Sequence, residues 1–294
     1  MKTRFKIIII TIAVYTLLIS NVYSQDSNVI VLPTDGPKRL TFESGLLFDQ
    51  QTVQMQPSKT LEFVLQHRFS SIENGITDLY GIYGTANISF GLNYSPTDYL
   101  TVGFSTIKNH KLQDFQYKVK LLSETKSDKV PLSIVWYGNV VIDARDKALF
   151  GLDYKFASRL SYFNELLIAK KFNDHFSLQV SAGFTHYNMV DTVSDHDKFN
   201  FAATARYKLT PQISFVVGYD KPYYIKSISE HLNLNFKSDP NLTFGFEIAT
   251  STHAFNIFIG TANGIVPQEN AMWNSNDYSK ILIFGFSLTR LWNF

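Results

Sequence analysis

From about residue 59 onward the chain alternates apolar and polar side chains almost without a break, which is the period of a β-strand and not of a helix. Ile88, Phe90, Leu92 and Tyr94 alternate with Asn87, Ser89, Gly91 and Asn93. Phe115, Tyr117, Val119 and Leu121 alternate with Gln116, Lys118 and Lys120, and Phe176, Leu178, Val180, Ala182 and Phe184 are set against Ser177, Gln179, Ser181 and Gly183. Stretches of this kind cover residues 60–69, 86–94, 100–107, 113–123, 130–142, 157–170, 176–188, 198–208, 213–220, 242–250, 254–261 and 280–294. Leu232–Phe236 also alternates, but counting it makes thirteen strands and puts the two ends of the barrel on opposite sides. With that stretch assigned to the long connection ending at Asp239-Pro240, the count is even and both termini share one side. The prediction is an all-β fold: a closed, antiparallel, up-and-down transmembrane barrel of about twelve strands, fourteen at most.

A soluble sandwich alternates too, so the surface chemistry has to separate the two. The polar phase is rich in Gly, Ser, Asn and Thr and poor in Lys and Glu, unlike a sheet facing water. The apolar phase carries Tyr94, Phe176, Phe199, Tyr207 and Tyr219 near strand ends, where a membrane barrel places its aromatic girdles. Short connections (Ser95–Tyr99, Glu124–Lys129, Lys171–His175, Leu209–Gln212, Ser251–His253) alternate with longer ones (Ser70–Thr85, Asp143–Phe156, Val190–Asp197, Lys221–Asn241, Ala262–Ser279). That is the contrast between periplasmic turns and external loops. The final stretch alternates up to Trp292 and Phe294, an arrangement resembling the signal by which outer-membrane barrels engage their assembly machinery. Closure is expected on physical grounds, because hydrocarbon offers no partner to an unpaired N–H or C=O.

Ahead of the barrel, Lys2, Arg4 and Lys6 precede the apolar run Ile7–Ile19, and Val22 and Ser24 suit the −3 and −1 positions of a cleavage site. Residues 1–24 are therefore read as a secretory signal peptide, and the apolar run is shorter than the roughly 20 residues of a membrane helix. Residues 25–58 form a periplasmic tail or a plug segment, and residues 59–294 the barrel. Loss of Lys2, Arg4 and Lys6 takes the net charge from +2 to −1. A chain so near neutrality has no general electrostatic reason to bind nucleic acid. The absence of cysteine excludes disulfides, thiolate metal sites, a cysteine nucleophile, covalent haem attachment and a lipoprotein anchor.

Several stretches carry a resemblance. Leu61-Glu62-Phe63-Val64-Leu65-Gln66-His67-Arg68-Phe69, Asn74-Gly75 with Asp78-Leu79-Tyr80-Gly81, the pair Gly91–Tyr94 and Leu100–Gly103, Tyr117–Leu122, and Phe284–Arg290 resemble a family of outer-membrane β-barrels from Gram-negative bacteria whose function is unknown. The resemblance covers nearly all of residues 38–294. It implies a barrel in the outer membrane, surrounded by its lipid, and supplies no catalytic residues.

Residue by residue, the search for chemistry returns little. His67 and His186 fall in phase with the apolar faces near strand ends, where an amphipathic ring suits the membrane interface. Asp195-His196-Asp197 is the one compact ligand-like cluster, of a type that can hold a divalent cation, but a solvated loop is the better explanation and no metal is expected. No base and nucleophile have a phasing that brings them together, so the expectation is a non-enzymatic protein without cofactor. Projected inward, the polar phase yields Glu62, Arg68, Lys118, Lys120, Arg206, Lys208 and Glu247 as a candidate constriction, accompanied by Gln66, Asn93, Tyr137, Asn139 and Gln179. The sixth stretch is apolar on both faces, which leaves the phase of Glu165 open. Two readings of this interior compete. Either mixed charge lines a small passive channel for polar solutes, or the charges pair and the lumen is plugged, leaving a structural or interaction barrel. In the second case Met272, Trp273 and Tyr278 in the last long loop are apolar anchors for a protein partner. A lipid- or glycan-modifying enzyme is a weaker third possibility.

Overall fold

The computed structural model describes residues 36, 41–225, 237–275 and 281–294. Two short strands, β1 (Leu46–Leu47) and β2 (Gln50–Gln51), form a small hairpin apart from the rest. The alternating stretches form β3 (Thr60–Ser71), β4 (Asn87–Thr97), β5 (Leu100–Ile107), β6 (Leu112–Leu122), β7 (Ser133–Asp143) and β8 (Leu160–Lys171). They continue as β9 (Phe176–Tyr187), β10 (Asp197–Lys208), β11 (Ile213–Tyr224), β12 (Asn241–Ala249), β13 (His253–Gly260) and β14 (Ile283–Asn293). Strands β3 to β14 close into one barrel, each paired antiparallel with its sequence neighbours. Closure falls between β14 and β3, where Phe286 lies opposite His67 and Leu288 opposite Leu65.

Twelve strands of eight to twelve residues match the lengths that tilted strands need to cross the apolar layer. The apolar phase faces outward: Phe90, Leu92, Phe104, Phe115, Phe201 and Phe246 are exposed. Aromatic pairs such as Phe104–Phe115 (5.0 Å) and Phe215–Phe246 (5.5 Å) bind adjacent strands across that face. His67 stacks on Phe286 at 5.1 Å on this outer surface.

Several strand boundaries differ from the periodicity, most of all on β11. Strand β11 runs on to Tyr224 because Lys221 and Tyr223 pair with Phe201 and Phe199 of β10. Pro222 is tolerated there since pairing with β12 stops at Asp220, so that edge lacks a strand needing its missing N–H. The external connection between β5 and β6 is a tight one of residues 108–111, and residues 156–159 form a 3₁₀ turn ahead of β8. Leu232–Phe236, read as loop, lies outside the described residues, as does the signal-peptide segment.

Inside the barrel the alternation changes character. On β8 the inward residues are Ser161, Phe163, Glu165, Leu167, Ala169 and Lys171, which fixes the phase that both-sided apolarity had obscured. Phe163, Leu167 and Ala169 join Val135 and Tyr137 of β7, Val216 of β11 and Phe258 of β13 in an apolar patch on the inner wall. Phe258 lies flat between Gly245 and Gly285 on the flanking strands; a Cβ at Gly285 would sit 2.5 Å from its ring. Gly285 leaves room for the inward ring, and Gly245 for the close approach of the β13 backbone at Phe258.

Candidate functional site: the lumen and its two inserts

The apolar inner patch faces residues 41–56, which fold inside the barrel. Phe42, Leu47, Phe48, Val53 and Met55 are buried against it in a single core, with Phe48 and Phe258 ring centroids 5.0 Å apart. Each such side chain removed from water stabilises the docked segment by about 1.5–3 kcal/mol. The segment turns tightly at the β1–β2 hairpin, where Phe48 takes a left-handed φ of 55°. Its polar groups meet the polar phase of the wall. Gln179 donates to the Gln51 carbonyl (2.8 Å) and accepts from the Val53 N–H (2.9 Å), Thr204 donates to Gln50, and Asn241 and Thr243 donate to Asp49 at 2.8 and 2.9 Å.

Of the seven candidate constriction residues, six bind this insert and so serve as its docking groups, not as the rim of an open pore. Glu62 accepts from Gln56 (3.2 Å), Lys118 donates to the carbonyls of Gly45 (2.5 Å) and Thr52 (3.2 Å), and Arg68 pairs with Asp49. Arg206 reaches both Glu43 (3.0 Å) and Glu247 (2.8 Å), and Lys208 stands 3.5 Å from Glu43. Glu247, fully buried, accepts from the backbone N–H of Ser44 (2.9 Å) and Glu43 (3.2 Å) through its other oxygen. The seventh, Lys120, lies by the β4–β5 turn, its N–H bonded to the Tyr99 carbonyl. The periodicity located these side chains on the inner face but could not name their partners.

A second insert closes the opposite, external mouth. After β13 the chain turns inward, and helix α1 (Pro267–Trp273) sits within the barrel end. Gln268 exchanges hydrogen bonds with Asn139 (3.0 and 3.3 Å) and donates to Ser161 (3.4 Å). Lys198 donates to the carbonyls of Ala271 (3.2 Å) and Met272 (3.1 Å), and Arg68 donates to Ala262 (2.9 Å) while holding Asp49. Ile265 and Val266 pack with Ile107, Leu112 and Val141 in a small apolar cluster.

This geometry corrects the partner-anchor reading. Met272 has 0% exposure, and Trp273 packs edge-on against Tyr187 at 4.6 Å while its indole N–H donates to Ser194 (3.2 Å). Both are internal, because the loop that carries them folds into the lumen instead of out into solvent. Tyr278 lies outside the described residues.

Nor does the Asp195-His196-Asp197 cluster converge. Asp195 accepts from the His196 N–H (2.7 Å), His196 Nδ1 lies 2.6 Å from the Tyr187 carbonyl, and Asp197 pairs with His186 at 2.6 Å. Each side chain turns to a different neighbour. Among the described residues no group of three or more His, Asp or Glu side chains is placed to hold a metal ion. At the external rim Arg145 forms a two-toothed pair with Asp143, which together with that hydrogen bonding raises its pKa further above the usual guanidinium value.

Among the described residues, three recesses remain beside the inserts. A cavity of about 50 Å³ lies between the insert and the polar wall of β3 to β6, lined by Gln66, Ser89, Asn93, Ser105 and Gln116. Larger recesses of about 400 and 450 Å³ sit at the external and periplasmic mouths, on either side of the filled section.

Comparison with known proteins agrees with this architecture. The family described as "Membrane bound beta barrel domain (DUF5777)" matches residues 42–292. The chain belongs to this family. The match begins at Phe42, so the family takes in the described insert together with the barrel. Among solved structures, the chain is similar to an outer-membrane channel from Pseudomonas putida F1, with 11% identity, 82% of this chain and 98% of that one covered, and a TM-score of 0.50. It also matches the NanC porin (5% identity, 78% and 98% covered, TM-score 0.49) and the KdgM porin (6% identity, 79% and 98% covered, TM-score 0.46). At such identities the likeness is one of fold. No protein of curated function matches the chain.

Proposed function

We propose that this family member is a non-enzymatic outer-membrane barrel of a Gram-negative bacterium, closed at rest by its own N-terminal segment. Small polar solutes then cross only when residues 41–56 withdraw from the lumen. The observation that carries this reading is the asymmetry of the inner wall. Strands β7, β8, β11 and β13 offer the apolar patch that docks the insert. Strands β3 to β6 offer Gln66, Ser89, Asn93, Thr101, Ser105 and Gln116 beside a cavity of about 50 Å³. Glu62, Arg68 and Lys118 of this half bind the insert. Gln66, Ser89, Asn93, Thr101, Ser105 and Gln116 line the space beside it, which suits a path for polar solutes once the insert withdraws. Export through a cleaved signal peptide at residues 1–24, and delivery to the assembly machinery through the strand ending in Trp292 and Phe294, complete the reading.

Planar-bilayer recording tests it. The wild-type mature chain is expected to give no regular conductance steps. Phe48→Asp, which puts a carboxylate into the apolar docking patch, is expected to give them, as is deletion of residues 41–56. Regular steps from the wild type would overturn the closed resting state. Silence from both variants, with barrel folding confirmed by resistance to detergent unfolding, would overturn the solute pathway.

A second reading, an interaction barrel, draws on the external connections, where Ile76, Tyr83 and Leu152 are 72%, 77% and 105% exposed. Co-purification from mild detergent decides it: a stoichiometric partner lost on replacing these three by serine supports it, and a lone barrel counts against it.

A further inference from the structure

The periplasmic mouth holds the recess of about 450 Å³, bounded by Lys171, Arg206 and Lys208 of the wall and by Glu43 of the insert. We propose that it is a binding site for a small, soluble, multivalent oxyanion of the phosphate or polycarboxylate class, and that Glu43 occupies this site as an internal competitor. The proposal goes beyond the channel reading and stands or falls separately from it.

Of the charged groups that line the recess three are cationic and one, Glu43, is a carboxylate, while Glu247 and Asp174 lie beyond it. A guanidinium and an ammonium group converge on the single carboxylate of Glu43, Arg206 at 3.0 Å and Lys208 at 3.5 Å. Lys171 adds a third cation whose ion-pair partner, Asp174 at 3.3 Å, has a side chain 95% exposed and screened by water. Glu124 accepts from the Lys171 backbone N–H at 2.9 Å from outside the recess. Glu247 lies behind Arg206, where its two oxygens are taken up by the Arg206 Nε and by the N–H groups of Glu43 and Ser44. The recess therefore presents three cations and one exchangeable carboxylate.

Arg206 makes the site a built one. Its side chain is 97% buried by the 3% exposure of the group, its Nε is fixed by Glu247, and this aims Nη2 at the recess. A planar fork fixed in this way suits an oxyanion with several oxygens, and two flanking ammonium groups suit more than one negative charge. Glu43 supplies only one charge, on a segment joined to a single barrel strand, and keeps 22% side-chain exposure. An anion that binds once Glu43 has swung away favours the undocked state of residues 41–44 by its differential affinity. The apolar side chains deeper in the lumen hold the rest of the insert in place. Because the recess lies within the barrel mouth, a soluble anion reaches it and a bilayer headgroup does not.

Calorimetric titration of inorganic phosphate into the full mature chain, in phosphate-free micelles at fixed ionic strength, tests the proposal. We expect one saturable site. Glu43→Gln removes the competitor and is expected to tighten binding about five- to tenfold. Lys208→Ala, alone and with Lys171→Ala, is expected to weaken it about tenfold in the double variant. Short-chain phosphatidylglycerol in excess is expected not to displace phosphate, and displacement would overturn the soluble source. Absence of saturable binding, or an affinity that Glu43→Gln leaves unchanged, would overturn the site itself whether or not the barrel conducts.

Discussion

Residues 41–56 enter the barrel from one strand only, whereas the external insert leaves β13 and returns to β14, so it is tied at both ends. Their contacts differ in the same sense. The N-terminal insert is held by a core of five apolar side chains together with many hydrogen bonds and ion pairs from the wall, among them those of Gln179, Lys118, Thr243 and Arg68. The external insert contributes Ile265 and Val266 to a smaller apolar cluster, buries Met272, and is held by hydrogen bonds from Asn139, Lys198 and Arg68 and by the contact of His110 with Glu269. Apolar burial is roughly proportional to area and indifferent to direction, so the larger apolar core of the first insert constrains its geometry less tightly than hydrogen bonds constrain the second. A loop fixed by geometry and tethered twice loosens locally and stays where it is. On the proposed gated reading, the insert ahead of β3 is the one expected to leave, and the one between β13 and β14 the one expected to stay.

Arg68 joins the two, and its loss is the strongest way to break the distinction. One guanidinium holds Asp49 of the first insert and the Ala262 carbonyl of the second, with the side chain fully enclosed. Arg68→Ala strands Asp49 as a buried carboxylate, and breaking a buried pair from one side costs about 3–5 kcal/mol. The expected result is a drop of that size in urea unfolding of the lipid-reconstituted barrel, with both inserts becoming open to limited proteolysis. If only residues 41–56 become cleavable, the inserts are independent and Arg68 does not couple them.

The sequence carried the barrel and left its contents open between a tail and a plug, for a physical reason. Strand pairing in β3 to β14 is between chain neighbours, and a lipid-facing phase imposes period two on each, so Phe90 to Tyr94 or Phe176 to Phe184 declare themselves locally. The insert has no period, because its partners are wall side chains remote in sequence: Ser44 meets Glu247, and Val53 meets Gln179. Arg68, Arg206 and Glu247 could be put on the inner face from phase alone, but whether they line water or bind protein depends on a segment whose placement no spacing encodes. One signal was available. Strand β8 is apolar on both faces, and a strand facing lipid on one side needs Phe163, Leu167 and Ala169 on the other only if protein covers them. Met272 misled for the opposite reason: an apolar residue in a polar loop reads as an exposed anchor until the loop is known to fold inward.

A middle-sized effect is expected at the centre of the external insert. Gln268, fully buried, satisfies Asn139 and Ser161 through three contacts of 3.0 to 3.4 Å. Gln268→Ala leaves those wall groups without their partner, which costs about 1–3 kcal/mol. If this insert is held by direction and not by apolar area, Gln268→Met, which keeps the volume, is expected to destabilise nearly as much. A Gln268→Met barrel as stable as wild type would show that the external insert is held by packing after all, and the comparison would collapse.

The smallest effect sharpens the correction to the partner-anchor reading. The Trp273 indole donates to Ser194 at 3.2 Å in a partly buried setting. Ser194→Ala removes that acceptor and nothing larger, so the expected cost is at most about 1 kcal/mol, with water replacing the lost bond in part. Trp273 is one of three tryptophans, and replacing Trp136 and Trp292 by phenylalanine isolates its fluorescence. In that background Ser194→Ala is expected to shift the Trp273 emission slightly to the red, because the ring loses its fixed contact with Tyr187 and meets more water. Emission that starts at the wavelength of free indole in water, and does not move on substitution, would mean that Trp273 already faces solvent; the external insert would then be the segment that swings out.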